Sequence, residues 1–256
     1  MLIATFNANS IRSRMDVILR WLADHKPDAL CIQETKVQDA EFPRRPIEDA
    51  GYHVVFKGQK AYNGVALLSR TPPAEVSAGL DDEPRDEPRL LHAKIGPVHI
   101  VNTYVPQGRD IHHEMYAYKL AWFGRLRRFF DQRFKKTDLL VWAGDLNVAA
   151  EPIDVHSPEL YGNHVCYHEA AREAFAKCRA WGFVDVFRKH HPEPGHYTFF
   201  DYRTPDAVNK GVGWRIDYLL ASPALAEKCT GAAIDLKPRL ESKPSDHTVL
   251  MAEFDL

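Results

Sequence analysis

Polar side chains recur in this sequence at the points where apolar segments end. Asn7 and Glu34 each follow a short apolar segment near the amino terminus, and Asp145 follows another in the middle of the chain. Further along, Asp217 lies inside an apolar segment and Asp246 precedes the last one. Taken singly, each could be an ordinary turn or cap residue. Because active-site residues of sheet proteins lie at strand ends, the joint pattern predicts a single site.

The carboxylates of this pattern predict a metal. An unpaired charge buried in apolar surroundings costs several kcal/mol or more, and several carboxylates in one place repel one another. A divalent cation resolves this conflict, and carboxylate and amide oxygens are ligands suited to Mg²⁺. We therefore expect a Mg²⁺ site, in which Mn²⁺ can substitute, built around Glu34, Asp145, Asp217 and Asp246.

His247 stands out among the 13 histidines because it directly follows Asp246. A carboxylate can hold an imidazole in one tautomer and raise its pKa. Such a histidine can donate a hydrogen bond to a phosphate oxygen. The histidine pairs at 112–113 and 190–191 are instead interpreted as loop or helix-end residues.

Alternating strands and helices must position these groups. Apolar spacing predicts helices over residues 11–25, with Ser10 as its cap, 115–134 and 169–181. Strands are expected over residues 2–6, 28–33, 54–56, 64–68, 90–95, 98–104, 138–143, 198–202, 215–220 and 249–254. Many short strands beside a few long helices favour an α/β sandwich with the sheets inside. With no linker or repeat, we expect a single domain over residues 1–256, in which the polar segment 81–89 is a surface loop.

Composition excludes several classes of protein. The chain has 256 residues, 45% of them hydrophobic and 27% charged, which rules out a disordered chain, a coiled coil and a collagen-like repeat. The net charge of −2 argues against a protein that coats nucleic acid through its overall positive charge. Setting aside the four site carboxylates leaves 31 acids against 33 bases. The remaining surface is then modestly basic.

The sequence also lacks several signatures. No apolar segment approaches the roughly 18–20 residues that span a membrane, and the amino terminus has no signal-peptide pattern. None of the four cysteines lies in a C-x-x-C pair, so we expect free thiols in a reducing cytoplasm. Neither a P-loop nor a G-x-G-x-x-G motif is present.

An ordered set of motifs resembles the exonuclease III family of apurinic/apyrimidinic endonucleases, within the larger endonuclease/exonuclease/phosphatase fold. The motifs are F-N-A-N-S-I-R (6–12), Q-E-T-K (33–36), N-G-V-A-L-L-S-R (63–70), N-T-Y-V-P-Q-G (102–108), G-D-L-N (144–147), G-F-V-D-V-F-R (182–188), F-F-D-Y-R (199–203), G-W-R-I-D-Y (213–218) and K-P-S-D-H (243–247). Each motif alone is weak, but together they cover essentially the whole chain in the family's order. The resemblance implies a four-layered α/β sandwich of two mixed β-sheets packed face to face, with helices outside.

The resemblance also implies roles for individual residues. Glu34 would be the principal metal ligand, with Asp246 as a second, and Asn7 would hold metal-site waters or the phosphate. Asp145 would deprotonate the attacking water, while Asn147 bonds the phosphate. Asp217 would pair with His247, which binds the scissile phosphate, and Tyr104 would lie against that phosphate.

The implied activity is hydrolysis of the phosphodiester 5′ to an abasic site in duplex DNA, with removal of 3′ phosphates or 3′ nucleotides. The family usually has a tryptophan in the block before D-Y-R, where this chain has Phe199. Lys36, Lys119 and Arg89 would either support the site or contact the DNA backbone. The full set of candidates for DNA contact is Arg12, Lys36, Arg89, Arg109, Lys119, Phe199, Arg203, Lys210, Trp214 and Arg215.

Two other functions fit parts of the pattern. A phosphatase of the same fold, acting on inositol phosphates or sphingolipids, shares the Glu and Asp-His elements but not the 102–108 and 199–203 motifs. A non-catalytic DNA-binding module would require the loss of a catalytic position, and none is lost. We therefore expect a monomeric cytoplasmic enzyme, associated with the nucleoid through DNA, whose partners are duplex DNA with abasic sites or blocked 3′ ends.

Overall fold

The computed structural model describes residues 1–82 and 85–256. Within those ranges the strands form two six-stranded sheets. The first sheet, in spatial order, contains β11 (Cys229–Asp235), β12 (Val249–Phe254), β1 (Leu2–Asn7), β2 (Ala29–Gln33), β4 (Val65–Ser69) and β3 (His53–Lys57). The second contains β5 (Ala74–Ala78), β6 (Leu90–Ile95), β7 (Val98–Tyr104), β8 (Leu140–Asp145), β10 (Asp217–Ala221) and β9 (Val184–Asp185).

The helices lie between these strands along the chain. They are α1 (Met15–His25), α2 (Arg44–Asp49), α3 (Glu114–Arg133), α4 (Glu169–Arg179), α5 (Val186–His190), α6 (Pro223–Ala226) and α7 (Lys237–Leu240). Short 3₁₀ segments cover Asp39–Glu41, Pro152–Asp154 and Pro158–Leu160. None of the helices that the structure describes is long and apolar enough to cross a membrane.

Both sheets are mixed, as predicted. Strand β1 is parallel to β2 and antiparallel to β12. In the second sheet, β7 is parallel to β8 and antiparallel to β6. Each parallel pair places two carboxyl ends at the same edge of its sheet.

Three large clusters make up most of the core of the described residues, and they confirm the four layers; a fourth, small cluster contains Tyr197, Phe200 and Ala207. Apolar residues of both sheets, such as Cys31 of β2 and Val141 of β8, pack between the sheets. Trp21 of α1 belongs to a cluster with residues of the first sheet, and Trp122 of α3 to one with residues of the second. Helices therefore cover the outer face of each sheet. All four cysteines are free thiols, as expected, and all four are buried.

Helix α1 begins later than predicted. Ser10 has φ 95° and does not cap the helix; Arg14 holds the N-cap position, and the helix starts at Met15. The backbone N–H of Ser10 instead donates to the carbonyl of Glu34, which keeps this turn beside the end of β2.

The predicted strand over residues 198–202 is wrong. Phe199 forms only isolated bridges, to Trp214 and to His247. The N–H of Phe199 bonds the carbonyl of Trp214, but the next N–H, of Phe200, bonds the carbonyl of Asp246. Because the segment changes partner from one residue to the next, no ladder can extend along it.

The polar segment 81–89 is fixed to helix α3 where it is described; residues 83 and 84 lie outside the described ranges. Asp86 accepts hydrogen bonds from Tyr118 and from Arg125, the latter at 2.8 Å. Asp82 also bonds Arg125, at 2.7 Å. These contacts tie the segment to the outer helical layer.

Candidate active site

Six strand ends from the two sheets converge at one edge of the sandwich. Asn7 ends β1 beside the last residue of β2, and Glu34 follows β2 directly. In the second sheet Tyr104 pairs with Asp145, and Asp145 pairs with Asp217. Strand β12 begins two residues after His247, so the first sheet also brings the K-P-S-D-H motif to this edge. The face-to-face packing therefore brings together groups that are far apart in the sequence.

Asn7 connects the two sheets inside the site. Its amide nitrogen donates to Oε1 of Glu34 and to Oδ2 of Asp145, both at 2.8 Å. Its Oδ1 accepts the backbone N–H of Asn9 at 3.0 Å, which agrees with this amide orientation. The side chain is completely buried. Asn7 thus uses both amide hydrogens to hold two carboxylates that would otherwise repel each other.

His247 lies between two carboxylates. Its Nδ1 is 2.8 Å from Oδ2 of Asp217, and its Nε2 is 3.7 Å from Oδ2 of Asp145. Burial alone would lower the pKa of the imidazole, but the charges of Asp217 and Asp145 outweigh it and raise the pKa to about 10. His247 is therefore a buried cation at neutral pH. The sequence predicted a raised pKa from the neighbouring Asp246, but Asp217 and Asp145 contribute more to it.

Asp145 has the electrostatics of a base that works near neutral pH. Burial raises its pKa, the imidazolium of His247 opposes this, and the charges of Asp217 and Glu34 add to it, which gives a pKa of about 7. Its Oδ1 accepts the backbone N–H of Asn147 at 2.9 Å. The carboxylate is thus oriented by fixed donors.

The G-D-L-N turn requires special backbone geometry. Gly144 has φ +131°, and a Cβ there would lie 2.0 Å from the carbonyl oxygen of Thr103. Asn147 has φ 50°, a left-handed conformation that asparagine tolerates. Its Nδ2 donates to the carbonyl of Val105 at 3.0 Å. The turn therefore fixes the Asn147 side chain beside Asp145.

Glu34 and Asp246 lie on the first-sheet side of the site. Oε2 of Glu34 is 2.8 Å from Nζ of Lys36. Burial would raise the pKa of Glu34, but Lys36 and the hydrogen bond from Asn7 lower it overall, so Glu34 remains ionised. Oδ1 of Asp246 accepts from Nδ2 of Asn9 at 2.9 Å.

The donor set fits a hard divalent cation. Four carboxylates face two cationic side chains, His247 and Lys36, so the cluster keeps a negative excess. Oδ1 of Asp217 is buried and has no hydrogen-bond partner. Carboxylate oxygens of Asp145 and Asp217 lie within 4.8 Å of each other, beside the charged ring of His247. The roles of Glu34, Asp246 and Asn7 as the ligands themselves stay predictions.

Tyr104 lies beside the carboxylates. Burial, followed by the charges of Glu34 and Asp145, raises the pKa of its phenol well above the usual value. The Arg89 guanidinium lies over its ring, 5.0 Å from the ring centroid. Tyr104 therefore stays protonated and can donate a hydrogen bond.

A cleft of about 420 Å³ opens over these groups. Phe199 and Trp214 lie in its wall, and the Phe199 ring meets the His247 ring edge-on at 5.0 Å. The ring of Trp214 lies 4.6 Å from His164 and 4.8 Å from Tyr161. Sequence reasoning missed these two neighbours of Trp214. The only signal was the aromatic content of residues 156–164, close after the G-D-L-N motif.

The structure corrects the prediction that Arg215 contacts DNA. The side chain is completely buried: its Nε donates to Oδ1 of Asp154 and its Nη2 lies beside Oδ2 of Asp185, both at 2.8 Å. Arg188 also bonds Asp154, so that one buried carboxylate holds two guanidinium groups. Arg215 therefore belongs to a buried ion-pair network and cannot reach a DNA strand.

Lys119 and Arg89 also support the site instead of reaching DNA. Lys119 is fully buried, and its Nζ donates to the carbonyls of Asn147 at 2.6 Å, Val165 at 2.8 Å and Gln107 at 3.2 Å. Arg89 is buried beside Tyr104 and pairs with Glu87 at 2.9 Å. For both residues, the supporting role that the sequence left open fits the structure and the DNA contact does not.

Other predicted DNA contacts remain accessible. The side chains of Arg12 and Arg203 are 57% and 90% exposed, and Arg109 and Lys210 lie on the surface. Lys36 is partly exposed while it pairs with Glu34. DNA binding by these residues stays a prediction.

Comparison with known proteins agrees with this geometry. The model of the Endonuclease/Exonuclease/phosphatase family matches residues 4–247. The chain is similar to an AP endonuclease from Archaeoglobus fulgidus, with a TM-score of 0.99, 53% identity and 100% of each chain covered. It is also similar to the 3′ phosphatase NExo from Neisseria bound to a product DNA hairpin, with a TM-score of 0.93, 35% identity and 100% of each chain covered. Exodeoxyribonuclease III of Haemophilus influenzae is 30% identical over 98% of both chains.

The chain therefore belongs to the Endonuclease/Exonuclease/phosphatase family. Within that family it is of the exonuclease III type, as its motifs predicted, and it is an enzyme of the phosphodiesterase class.

Proposed function

We propose that this protein is a Mg²⁺-dependent DNA repair nuclease, which hydrolyses the phosphodiester 5′ to abasic sites in duplex DNA and also removes blocking groups from 3′ ends. One observation carries the proposal. A carboxylate with a pKa of about 7, Asp145, lies 3.7 Å from the buried imidazolium of His247 at the base of an open cleft. A base and a cation so arranged suit in-line attack by water on a phosphate.

Each of the chain's own groups has a separate task in this reaction. Asp145 accepts the proton of the attacking water, because its carboxylate is available at neutral pH. His247 donates to a non-bridging oxygen, and Asp217 keeps its imidazole charged and oriented. The phenol of Tyr104 lines the same cleft and can donate to the phosphate or the leaving oxygen. Nδ2 of Asn147 lies there too; it donates one hydrogen to the carbonyl of Val105, and its second hydrogen, now directed at Oδ2 of Asp145 at 3.3 Å, can turn to the phosphate.

Glu34, Asp246 and Asn7 are the residues that we expect to hold the cation. When bound, a divalent ion supplies positive charge against the phosphate oxygens as negative charge develops on them. The excess of carboxylates in the cluster supports this assignment. Mn²⁺ has the same preference for oxygen ligands and is expected to substitute for Mg²⁺.

The cleft wall supports recognition of a nucleotide without its base. Phe199, Trp214 and Ile216 present apolar surface beside the catalytic groups. An abasic sugar leaves the helical stack at low cost, because it has no stacking or pairing to lose. The same cleft can accept a 3′-terminal phosphate. The similar Archaeoglobus fulgidus and Neisseria structures, those of an AP endonuclease and of a DNA-bound 3′ phosphatase, are consistent with this range.

The exposed basic side chains suit backbone contacts that position DNA without reading its sequence. We expect Arg12, Arg109, Arg203 and Lys210 to bind phosphates on either side of the lesion. We further propose that the protein acts as a monomer in the cytoplasm, at the nucleoid.

A panel of end-labelled substrates tests the proposal. We expect nicking of an abasic duplex and phosphate release from a 3′-phosphate duplex in Mg²⁺, with both activities lost on adding a chelator. Inositol phosphates and sphingomyelin serve as substrates of the alternative phosphatase. Phosphate or phosphocholine release from those compounds, with the abasic duplex left intact, would replace our proposal with the alternative.

A further inference from the structure

Three potential metal ligands meet in the loop after helix α5, away from the catalytic cleft. Oε1 of Glu193 lies 3.5 Å from Nδ1 of His191 and 2.8 Å from Nε2 of His196. All three ligand atoms lie within 4.8 Å of one another. None of these residues lines the catalytic cleft. The loop thus presents two imidazoles and one carboxylate toward a common point.

The loop backbone is fixed by groups beneath it. Nη1 of Arg188 donates to the carbonyl of His191 at 3.0 Å and to that of Glu193 at 2.6 Å. Arg188 is itself held by the buried carboxylate of Asp154. Prolines at 192 and 194 restrict the backbone on both sides of Glu193. Little conformational entropy therefore remains to be lost when a ligand orders this loop.

The imidazole of His191 is already oriented for a metal. Its Nε2 is 2.7 Å from the carbonyl oxygen of Ala232 on β11. A carbonyl only accepts, so Nε2 carries the hydrogen, and in the neutral ring Nδ1 presents its lone pair toward Glu193. The ring also stacks on Phe187, with the centroids 4.7 Å apart. Histidine ligands of metals characteristically donate their other ring nitrogen to a carbonyl or carboxylate in this way.

We propose that His191, Glu193 and His196 bind one divalent transition-metal ion of the zinc type, with water as the fourth ligand. Imidazole nitrogens with one carboxylate suit Zn²⁺ and not Mg²⁺. Tetrahedral bonds of about 2.0–2.1 Å place ligand atoms roughly 3.3–3.4 Å apart. The 3.5 Å pair matches this spacing. In the 2.8 Å pair Nε2 of His196 donates to Glu193, so this hydrogen bond must open and the neutral ring must carry its hydrogen on Nδ1 before Nε2 can bind the ion. Glu193 is 54% exposed and free to make that adjustment.

The expected role of the ion is structural. Residues 191–196 lead directly into Thr198, whose hydroxyl accepts the backbone N–H of Asp217 at 3.2 Å, and into Phe199 of the cleft wall. An ion that binds only the folded loop stabilises the folded protein by mass action. The site is independent of the proposed nuclease reaction.

Zinc stoichiometry tests the proposal directly. The full chain, without a polyhistidine tag and stripped of metal, is titrated with micromolar Zn²⁺ against a chromogenic chelator. We expect Glu193→Gln and His196→Gln each to bind one Zn²⁺ fewer per chain than the wild type. The matched control is His53→Gln, an exposed histidine at the start of β3, which should keep the wild-type count. Any Zn²⁺ at the catalytic cluster contributes equally to all four proteins.

Thermal unfolding supplies the second readout. In chelator Glu193→Gln should unfold near the wild-type temperature, because Glu193 is 54% exposed. Any loss in His196→Gln, whose ring contacts Phe187, is measured there separately from the effect of Zn²⁺. In Zn²⁺ the wild type and His53→Gln should gain more thermal stability than the two loop variants. An equal Zn²⁺ count in all four proteins would overturn the proposal. Binding that depends on the loop but appears only at millimolar Zn²⁺ would also overturn the proposal. It would show that the three side chains form a hydrogen-bonded surface group and not a metal site.

Discussion

Replacing Lys119 with methionine tests whether this lysine supports the site from inside the protein or contacts DNA. Methionine has a similar length but no charge or donor. The change leaves three carbonyl oxygens, those of Asn147, Val165 and Gln107, without the ammonium that now bonds them. Because the side chain is fully buried, water cannot replace these bonds at low cost.

The expected loss of stability follows from the two shortest hydrogen bonds of Lys119, those to the carbonyls of Asn147 and Val165. Buried hydrogen bonds that involve a charged group contribute about 1.5–3 kcal/mol each, so two of them amount to roughly 3–6 kcal/mol. Burial of the ammonium, which lowers the pKa of Lys119, offsets part of this gain. We expect a net loss of about 3 kcal/mol in unfolding free energy. For a chain of this length that corresponds to a fall in Tm of roughly 6–12 °C.

The same change should slow catalysis without weakening DNA binding. The Asn147 backbone loses its 2.6 Å bond, and displacement of the Asn147 amide should lower kcat by about tenfold or more. Binding is measured by fluorescence anisotropy over a range of salt concentrations, and unfolding by thermal denaturation. The control is Lys135→Met, an exposed lysine just after α3, which should change stability by less than about 0.5 kcal/mol.

A Lys119 that contacted phosphate would give the opposite set of results. Its loss would leave Tm unchanged, weaken DNA binding, and reduce the slope of log affinity against log salt by about 1. That outcome would refute the supporting role.

Three further predictions test other parts of the structure. Arg215→Met leaves the buried carboxylates of Asp154 and Asp185 without this ion-pair partner, and should lower the unfolding free energy by about 3–5 kcal/mol. The measurement is denaturant unfolding, and an unchanged midpoint would contradict the buried network. Phe199→Ala removes apolar surface worth about 1.5 kcal/mol or more from the cleft wall, and should lower kcat/KM on abasic duplex by about tenfold; an unchanged kcat/KM would exclude Phe199 from lesion binding. Burial, helped by nearby cations, lowers the pKa of His92 to about 4, so the unfolded chain binds a proton that the folded one does not. Wild-type stability should therefore fall as pH drops from about 6.5 to 4, and His92→Gln should remove up to about 3 kcal/mol of that loss; identical pH dependence in both proteins would show that His92 titrates normally.

The convergence of the candidate site residues was predictable because several of them carry local signals. Asn7, Glu34 and Asp145 are polar residues at the ends of apolar strands, and the edge of a sheet is where such ends meet. The pairing of His247 with Asp217 followed from the resemblance of their motifs. The G-D-L-N motif likewise indicates a tight turn, since only glycine fits at position 144.

Burial of charged residues was not predictable in the same way. Arg215 and Lys119 look like other basic residues near motifs, and their partners are distant in sequence. Asp154 precedes Arg215 by 61 residues, and the acceptors of Lys119 are backbone carbonyls, which no side-chain pattern reveals. The strand expected over residues 198–202 failed for a related reason, because the hydrogen-bond partners of that segment are set by the tertiary fold.

The role of Asp145 as the base is tested most directly by the single-turnover rate of abasic-duplex cleavage in Mg²⁺ by Asp145→Asn. Asparagine keeps the shape of the side chain but cannot accept the proton, so the rate should fall by about 10²–10⁴-fold, with DNA affinity retained. The wild-type rate should rise with pH as Asp145 loses its proton, and the variant should lack that rise. Cleavage by the variant at the wild-type rate would contradict the account.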